Sequence, residues 1–204
     1  VAEYTLAAIL LGLKRFWQQA EAYRTGAGRP IQVAGAYGST VGLVSLGTIG
    51  RLVCQRLKPF DVKVIAYDPF LKPEQARALG VELVPLDDVF TRADVVSLHI
   101  PNLPETRGMI TGAHVAAMRR DAVLINSSRG AVIREEELAA ALERRPDLWA
   151  VLDVTTGETL AADAPLLRLP NVVRTPHIAG SQAAECRRMG RFMIDELTRY
   201  LAGE

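Results

Sequence analysis

The sequence predicts a doubly wound, mostly parallel α/β sheet with helices on both faces. Three observations carry that expectation. Short apolar runs alternate with helical patterns from Val41 to Leu201, and such alternation builds successive βαβ units. The runs are mostly apolar rather than alternating, as in strands covered on both faces. Polar residues then follow the runs directly, at Asp68, His99, the Asn126–Arg129 turn, Asp153 and His177. Sheets of this class bind ligands outside the carboxyl ends of their strands.

Taken in order, residues 1–25 read as one helix, apolar along Leu6, Ile9, Leu10, Leu13 and Trp17. Residues 26–40 are a glycine-rich loop containing Pro30. Strands are expected at 41–44, 62–67, 81–84, 95–100, 122–125, 148–154 and 172–174. Helices are expected at 49–57, 73–79, 86–91, 112–119, 135–144 and 181–201. Glu135, Glu136 and Glu137 open their helix, where carboxylates suit its dipole. The closing helix puts Met189, Phe192, Met193, Leu197 and Leu201 on one apolar side. Three segments follow: a leading helix (1–25), a central nucleotide-binding domain (26–180) and a closing helix (181–204).

The stretch Val41–Asp68 organises the rest. A buried strand runs into Ser45-Leu46-Gly47-Thr48-Ile49-Gly50, then a helix, then a second strand ending on Asp68. That is the layout of a dinucleotide-binding unit, so the fold is expected to be Rossmann-like. Gly47 would let the backbone approach a pyrophosphate, and Gly50 would let the helix pack closely on its strand. The phosphates would lie on free N–H groups at the helix N-terminus. Asp68 could accept both ribose hydroxyls. Ser45 replaces the first glycine of the pattern, and serine is expected to make that turn only at ordinary negative φ. A plain βαβ unit with a glycine-rich turn is the alternative. Asp68 is followed by Pro69 and Phe70, with no basic residue to compensate a 2′-phosphate, so NAD is expected over NADP.

Composition excludes some classes. Of 204 residues, 49% are hydrophobic and the formal net charge is +1, which gives no reason to expect a nucleic-acid partner. Ala7–Leu13 is too short an apolar stretch to span a bilayer, so no membrane association is expected. Cys54 and Cys186 match no metal or redox spacing, and both read as reduced, at least half-buried thiols of a cytoplasmic protein. No metal site is expected.

Three turns could carry chemistry. Arg129, after a strand, could clamp a carboxylate in a bidentate pair, though a surface arginine closing a turn is the alternative. Glu158 lies five positions beyond Asp153. His177 ends the last strand beside that loop, and an imidazole paired with a carboxylate suits general acid–base work on an alcohol or ketone. His99 could line the same side or merely end its strand. His114, in an apolar helix, reads as structural.

In this order the motifs resemble the D-isomer-specific 2-hydroxyacid dehydrogenases. The stretches are the glycine turn with Tyr67-Asp68-Pro69, Leu98-His99-Ile100-Pro101 with Pro104-Glu105-Thr106, Asn126–Gly130, Leu152-Asp153-Val154, and Thr175–Gly180. Val1–Leu6 resembles the family's interdomain helix. The resemblance implies Arg129 as substrate binder, His177 as acid/base and Glu158 as the group that tunes it. It also implies a cofactor surface of Gly47, Thr48, Ile49, Gly50, Asp68, His99, Ile100, Pro101, Ser127, Ser128, Arg129, Asp153, His177 and Gly180. The expected activity is hydride transfer between nicotinamide and C2 of a small 2-hydroxy or 2-oxo acid. A family member has a further substrate-binding domain, so this chain is expected to bind NAD but turn over poorly alone. A homodimer is expected, from the apolar leading helix and the family's habit. The other reading is an NADH-sensing, dimerising interaction protein like the C-terminal-binding corepressors of the same fold.

Overall fold

The computed structural model describes residues 1–26, 35–157 and 160–203. Pro30 and Glu158, both singled out above, lie outside that set. The elements run α1 (Ala2–Leu13), α2 (Phe16–Arg24), β1 (Thr40–Val44), α3 (Thr48–Leu57), β2 (Lys63–Tyr67), α4 (Pro73–Leu79) and β3 (Glu82–Leu83). They continue α5 (Leu86–Arg92), β4 (Val95–Leu98), α6 (Gly112–Ala116), β5 (Val123–Asn126), α7 (Glu135–Arg144), β6 (Trp149–Leu152), β7 (Val172–Arg174) and α8 (Ala184–Ala202).

The seven strands form one sheet in the order β3-β2-β1-β4-β5-β6-β7. Every pairing is parallel. The winding reverses between β1 and β4, so a crevice opens there at the carboxyl edge. Each face of the sheet has its own core. On one side α1, α3 and α4 bury Ile9, Val53, Leu57 and Ala76 against Leu43, Ala66 and Ile125. On the other α5, α6 and α7 bury Phe90, Val115 and Leu138 against Leu98 and Leu124. Each large side chain taken fully out of water adds about 1.5–3 kcal/mol. Adjacent strand residues Val95 and Val96 face opposite cores, as the pleat requires. That is why the central strands read as continuous apolar runs.

Two expectations need correction, the single leading helix and the burial of Cys186. The leading segment is two helices, not one: Arg15 takes a left-handed φ of 50° between them, and its guanidinium pairs with Asp121 at 2.9 Å. The apolar stripe of α1 that motivated a dimer is spent largely within the chain, since Ile9 and Leu13 are buried in the core beneath α1. Cys54 is buried, and burial pushes its thiol up to about 11, but Cys186 is exposed on α8. The apolar side of α8 is also exposed, Met189 through Leu201 included, and none of that helix is buried. Its period marks an amphipathic helix correctly, but the surface it would cover is not among the described residues. No helix among them is long and apolar enough to cross a membrane.

Candidate active site

Two neighbouring regions of the carboxyl edge carry the expected groups. The first is the crevice beside β1. Ser45 donates its N–H to Tyr67 O at 2.8 Å and turns the chain at φ 78°. Serine therefore makes this turn in the left-handed region, contrary to the expectation of an ordinary negative φ. The hydrogen bond and the packing beyond it hold the residue there. Gly50 is the reason the turn must be so tight. A Cβ on Gly50 would overlap the Ser45 carbonyl oxygen, so α3 starts in backbone contact with the turn. A Cβ on Gly47 would meet nothing within 4 Å, so Gly47 faces open space. Gly47 is the N-cap of α3 and offers no side-chain cap, leaving the first-turn N–H groups of Thr48, Ile49 and Gly50 to an outside acceptor. These features fit a pyrophosphate.

Left-handed serine costs about 1–2 kcal/mol relative to glycine, while glycine loosens the unfolded chain by about 0.5–1 kcal/mol. Ser45→Gly is therefore expected to stabilise the domain by about 0.5–1 kcal/mol. A urea midpoint that falls on this substitution would show that the serine is locally favoured.

Asp68 sits at the end of β2, half-exposed. One carboxylate oxygen accepts the Leu46 N–H at 2.7 Å; the other accepts those of Phe70 at 2.9 Å and Leu71 at 3.1 Å. The carboxylate thus ties the glycine turn to the end of β2. Ribose hydroxyls would have to use the lone pairs that remain. Across the crevice His99 follows β4, its Nε2 3.2 Å from Ser97 Oγ. Burial holds its imidazole down to about 4, so it is neutral near pH 7. Ile100 is buried and Pro101 exposed. His114 is structural, as expected: it bonds Thr111 Oγ1 at 2.9 Å and packs on Phe90 with ring centroids 5.0 Å apart.

The second region is an open cleft of about 750 Å³ beyond β5, β6 and β7, lined by Arg129, Asp153, Arg174 and His177 among others. Asn126, fully buried, shapes the first turn. Its Oδ1 accepts from the Ser128 N–H at 3.0 Å and hydroxyl at 2.7 Å, and its Nδ2 donates to Arg129 O at 3.0 Å. The exposed Arg129 side chain is left facing the cleft, its Nη1 donating to Ser128 O at 2.6 Å. Gly130 is buried beneath it, and a Cβ there would overlap the backbone of Thr155 and Thr156.

Asp153 organises the second turn. It is 2% exposed. Its carboxylate accepts from Thr175 Oγ1 at 2.6 Å and from the N–H groups of Ile178 and Ala179, both at 2.8 Å. Its carbonyl accepts the His177 N–H at 3.0 Å. His177 is held by these bonds at a left-handed φ of 55° with its ring exposed. Non-glycine residues persist in that region only when their surroundings over-determine them. Gly180 ends the turn with open space at its Cα.

Sequence reasoning missed how α1 enters the site. Tyr4 Oη lies 2.7 Å from Thr175 Oγ1, and Thr5 Oγ1 lies 2.9 Å from Ser127 Oγ. Adjacent residues of one helix therefore hold both turns. The Ser127 hydroxyl, expected on the cofactor surface, is committed to this buried bond. Burial, with Asp153 nearby, raises the Tyr4 phenol above its ordinary value. A visible signal existed: Thr5 is polar yet lies one turn before Ile9, on the buried face.

The NAD-binding-domain model of the D-isomer-specific 2-hydroxyacid dehydrogenases matches residues 6–179. The chain belongs to that family. D-3-phosphoglycerate dehydrogenase of Mycobacterium bovis is 37% identical over a match of 205 positions that covers all of this chain and 39% of that protein. Glyoxylate reductase of Korarchaeum cryptofilum is 34% identical over 209 residues, covering all of this chain and 63% of the reductase. In structure, the chain is similar to D-lactate dehydrogenase with NAD+ from Lactobacillus jensenii. The TM-score is 0.84 at 29% identity, over all of this chain and 66% of that one. The chain thus spans two fifths to two thirds of these dehydrogenase-family relatives. The expected Rossmann-like, parallel α/β domain is what the family match and the sheet show.

Proposed function

We propose that this chain is the cofactor-binding part of an NAD-dependent 2-hydroxyacid dehydrogenase. The observation that carries this reading is the convergence of Arg129 and His177 on one cleft whose floor is Asp153. Gly47, Thr48, Ile49 and Gly50 would hold the pyrophosphate, Asp68 the adenosine ribose, and His99, Ile100, Pro101, Ser128, Asp153 and Gly180 the remaining surface. Bound nicotinamide supplies the hydride. Arg129 pairs with the substrate carboxylate and withdraws charge from the neighbouring carbonyl. His177 gives its proton to the C2 oxygen on reduction and takes it back on oxidation. Glu158, by the family resemblance, is the group that orients the His177 imidazole. NAD is preferred because a 2′-phosphate would meet the Asp68 carboxylate. A small 2-hydroxy or 2-oxo acid is the substrate, and a homodimer and a cytoplasmic location go with the same reading.

The test is a fluorescence titration with NADH and NADPH, followed by NADH oxidation with glyoxylate, pyruvate and hydroxypyruvate by the full protein. NADH is expected to bind at least about tenfold more tightly than NADPH, a difference of 1.4 kcal/mol. His177→Gln is expected to lose about 10²–10⁴ in turnover, far more than it loses in NADH affinity. NADH binding without turnover of any 2-oxo acid would replace this reading with the sensing one.

A further inference from the structure

Arg174 ends β7, a strand whose two preceding residues are valines packed into opposite cores. Its register partner is Leu152, beside Asp153. An arginine here breaks the apolar pattern, and the residue lines the same cleft as Arg129 and His177. Its Nε is sealed from solvent yet meets no acceptor among the described residues. A shielded guanidinium N–H without a partner is costly unless something pairs with it. Asp153 is a poor candidate, because its oxygens already accept from Thr175, Ile178 and Ala179. The cleft is therefore lined by two arginines, Arg129 and Arg174, of which a monocarboxylate substrate would use one.

We propose that Arg174 is a specificity-determining residue. It recognises a second anionic group, a carboxylate or a phosphate, on a 2-hydroxy acid whose first carboxylate lies on Arg129. The proposal rests on the dehydrogenase reading of the same cleft and narrows its substrate class. Planar, five-donor arginine suits either anion, and binds it bidentately where lysine cannot.

The test uses the full protein with NAD. Binding of D-lactate, D-malate and D-3-phosphoglycerate is measured by calorimetry, and turnover of the same acids is followed by NADH formation. D-Malate or D-3-phosphoglycerate is expected to bind at least tenfold more tightly than D-lactate, and the better of the two identifies the anion. Arg174→Gln should remove that preference through KM, raising KM for the favoured acid at least tenfold more than KM for D-lactate, and Arg174→Lys should restore part of it. An unchanged preference in Arg174→Gln, or an equal loss for all three acids, would overturn the proposal and leave Arg174 a packing residue. Equal binding of the three acids by the unaltered protein would overturn it too. If none is oxidised but the binding preference exists and Arg174→Gln abolishes it, the anion site stands and the dehydrogenase reading falls.

Discussion

Asp153→Ala is expected to destabilise the domain by about 3–5 kcal/mol, because one substitution takes the acceptor from three buried or half-buried donors at once. Thr175 Oγ1 and the N–H groups of Ile178 and Ala179 all end on that carboxylate. Water cannot replace it fully at a site only 2% exposed. The loss should not be purely global. The left-handed His177 directly precedes Ile178 and Ala179, whose N–H groups this carboxylate holds, so the turn should relax and the histidine should leave the cleft. Asp153→Asn separates the two effects. It retains one accepting oxygen but aims an NH₂ at a donor, and about half the loss is expected. Urea unfolding gives the energies. A midpoint unmoved in Asp153→Ala would mean that the three donors find other acceptors.

Gly130→Ala should cost about 3 kcal/mol or more, for a different reason. The added methyl would coincide with the Thr155 carbonyl and the Thr156 nitrogen, and backbone cannot rotate aside as a side chain can. Either the Arg129 turn or the strand end after β6 must move. The Thr156 N–H also bonds Glu135 Oε1 at the start of α7, so displacement of that segment would break a second contact. Gly130→Ala should therefore weaken NADH binding together with stability. Retention of both would show that the segment after β6 yields freely.

Much of the sheet was readable because its signals are local. Val95–Leu98, Val123–Asn126 and Trp149–Leu152 are buried at every position, as strands covered on both faces are. Gly47 and Gly50 could be placed because a pyrophosphate-binding turn has few backbone solutions. What escaped depends on partners far along the chain. The break at Arg15 is set by Asp121, and the left-handed Ser45 by a hydrogen bond to the neighbouring strand and the closeness of α3. No pattern within either segment contains that information. The roles of Tyr4 and Thr5 were hidden likewise, since each finds its partner only after the sheet is wound. The exposed side of α8 was legible as a period but not as a contact, because periodicity names a face and not what covers it.

The two hydroxyl contacts made by α1 bear on how the site forms. Tyr4 and Thr175 are 171 positions apart, and Thr5 and Ser127 are 122 apart. Loop-closure entropy must be met before contacts of such separation give anything back. The anchored arrangement of both turns thus cannot precede the docking of α1 on the sheet. Local opening of that helix is, by the same bonds, a loosening of the cleft. The earliest residues in the chain and the latest turns of the sheet therefore gain and lose their order together.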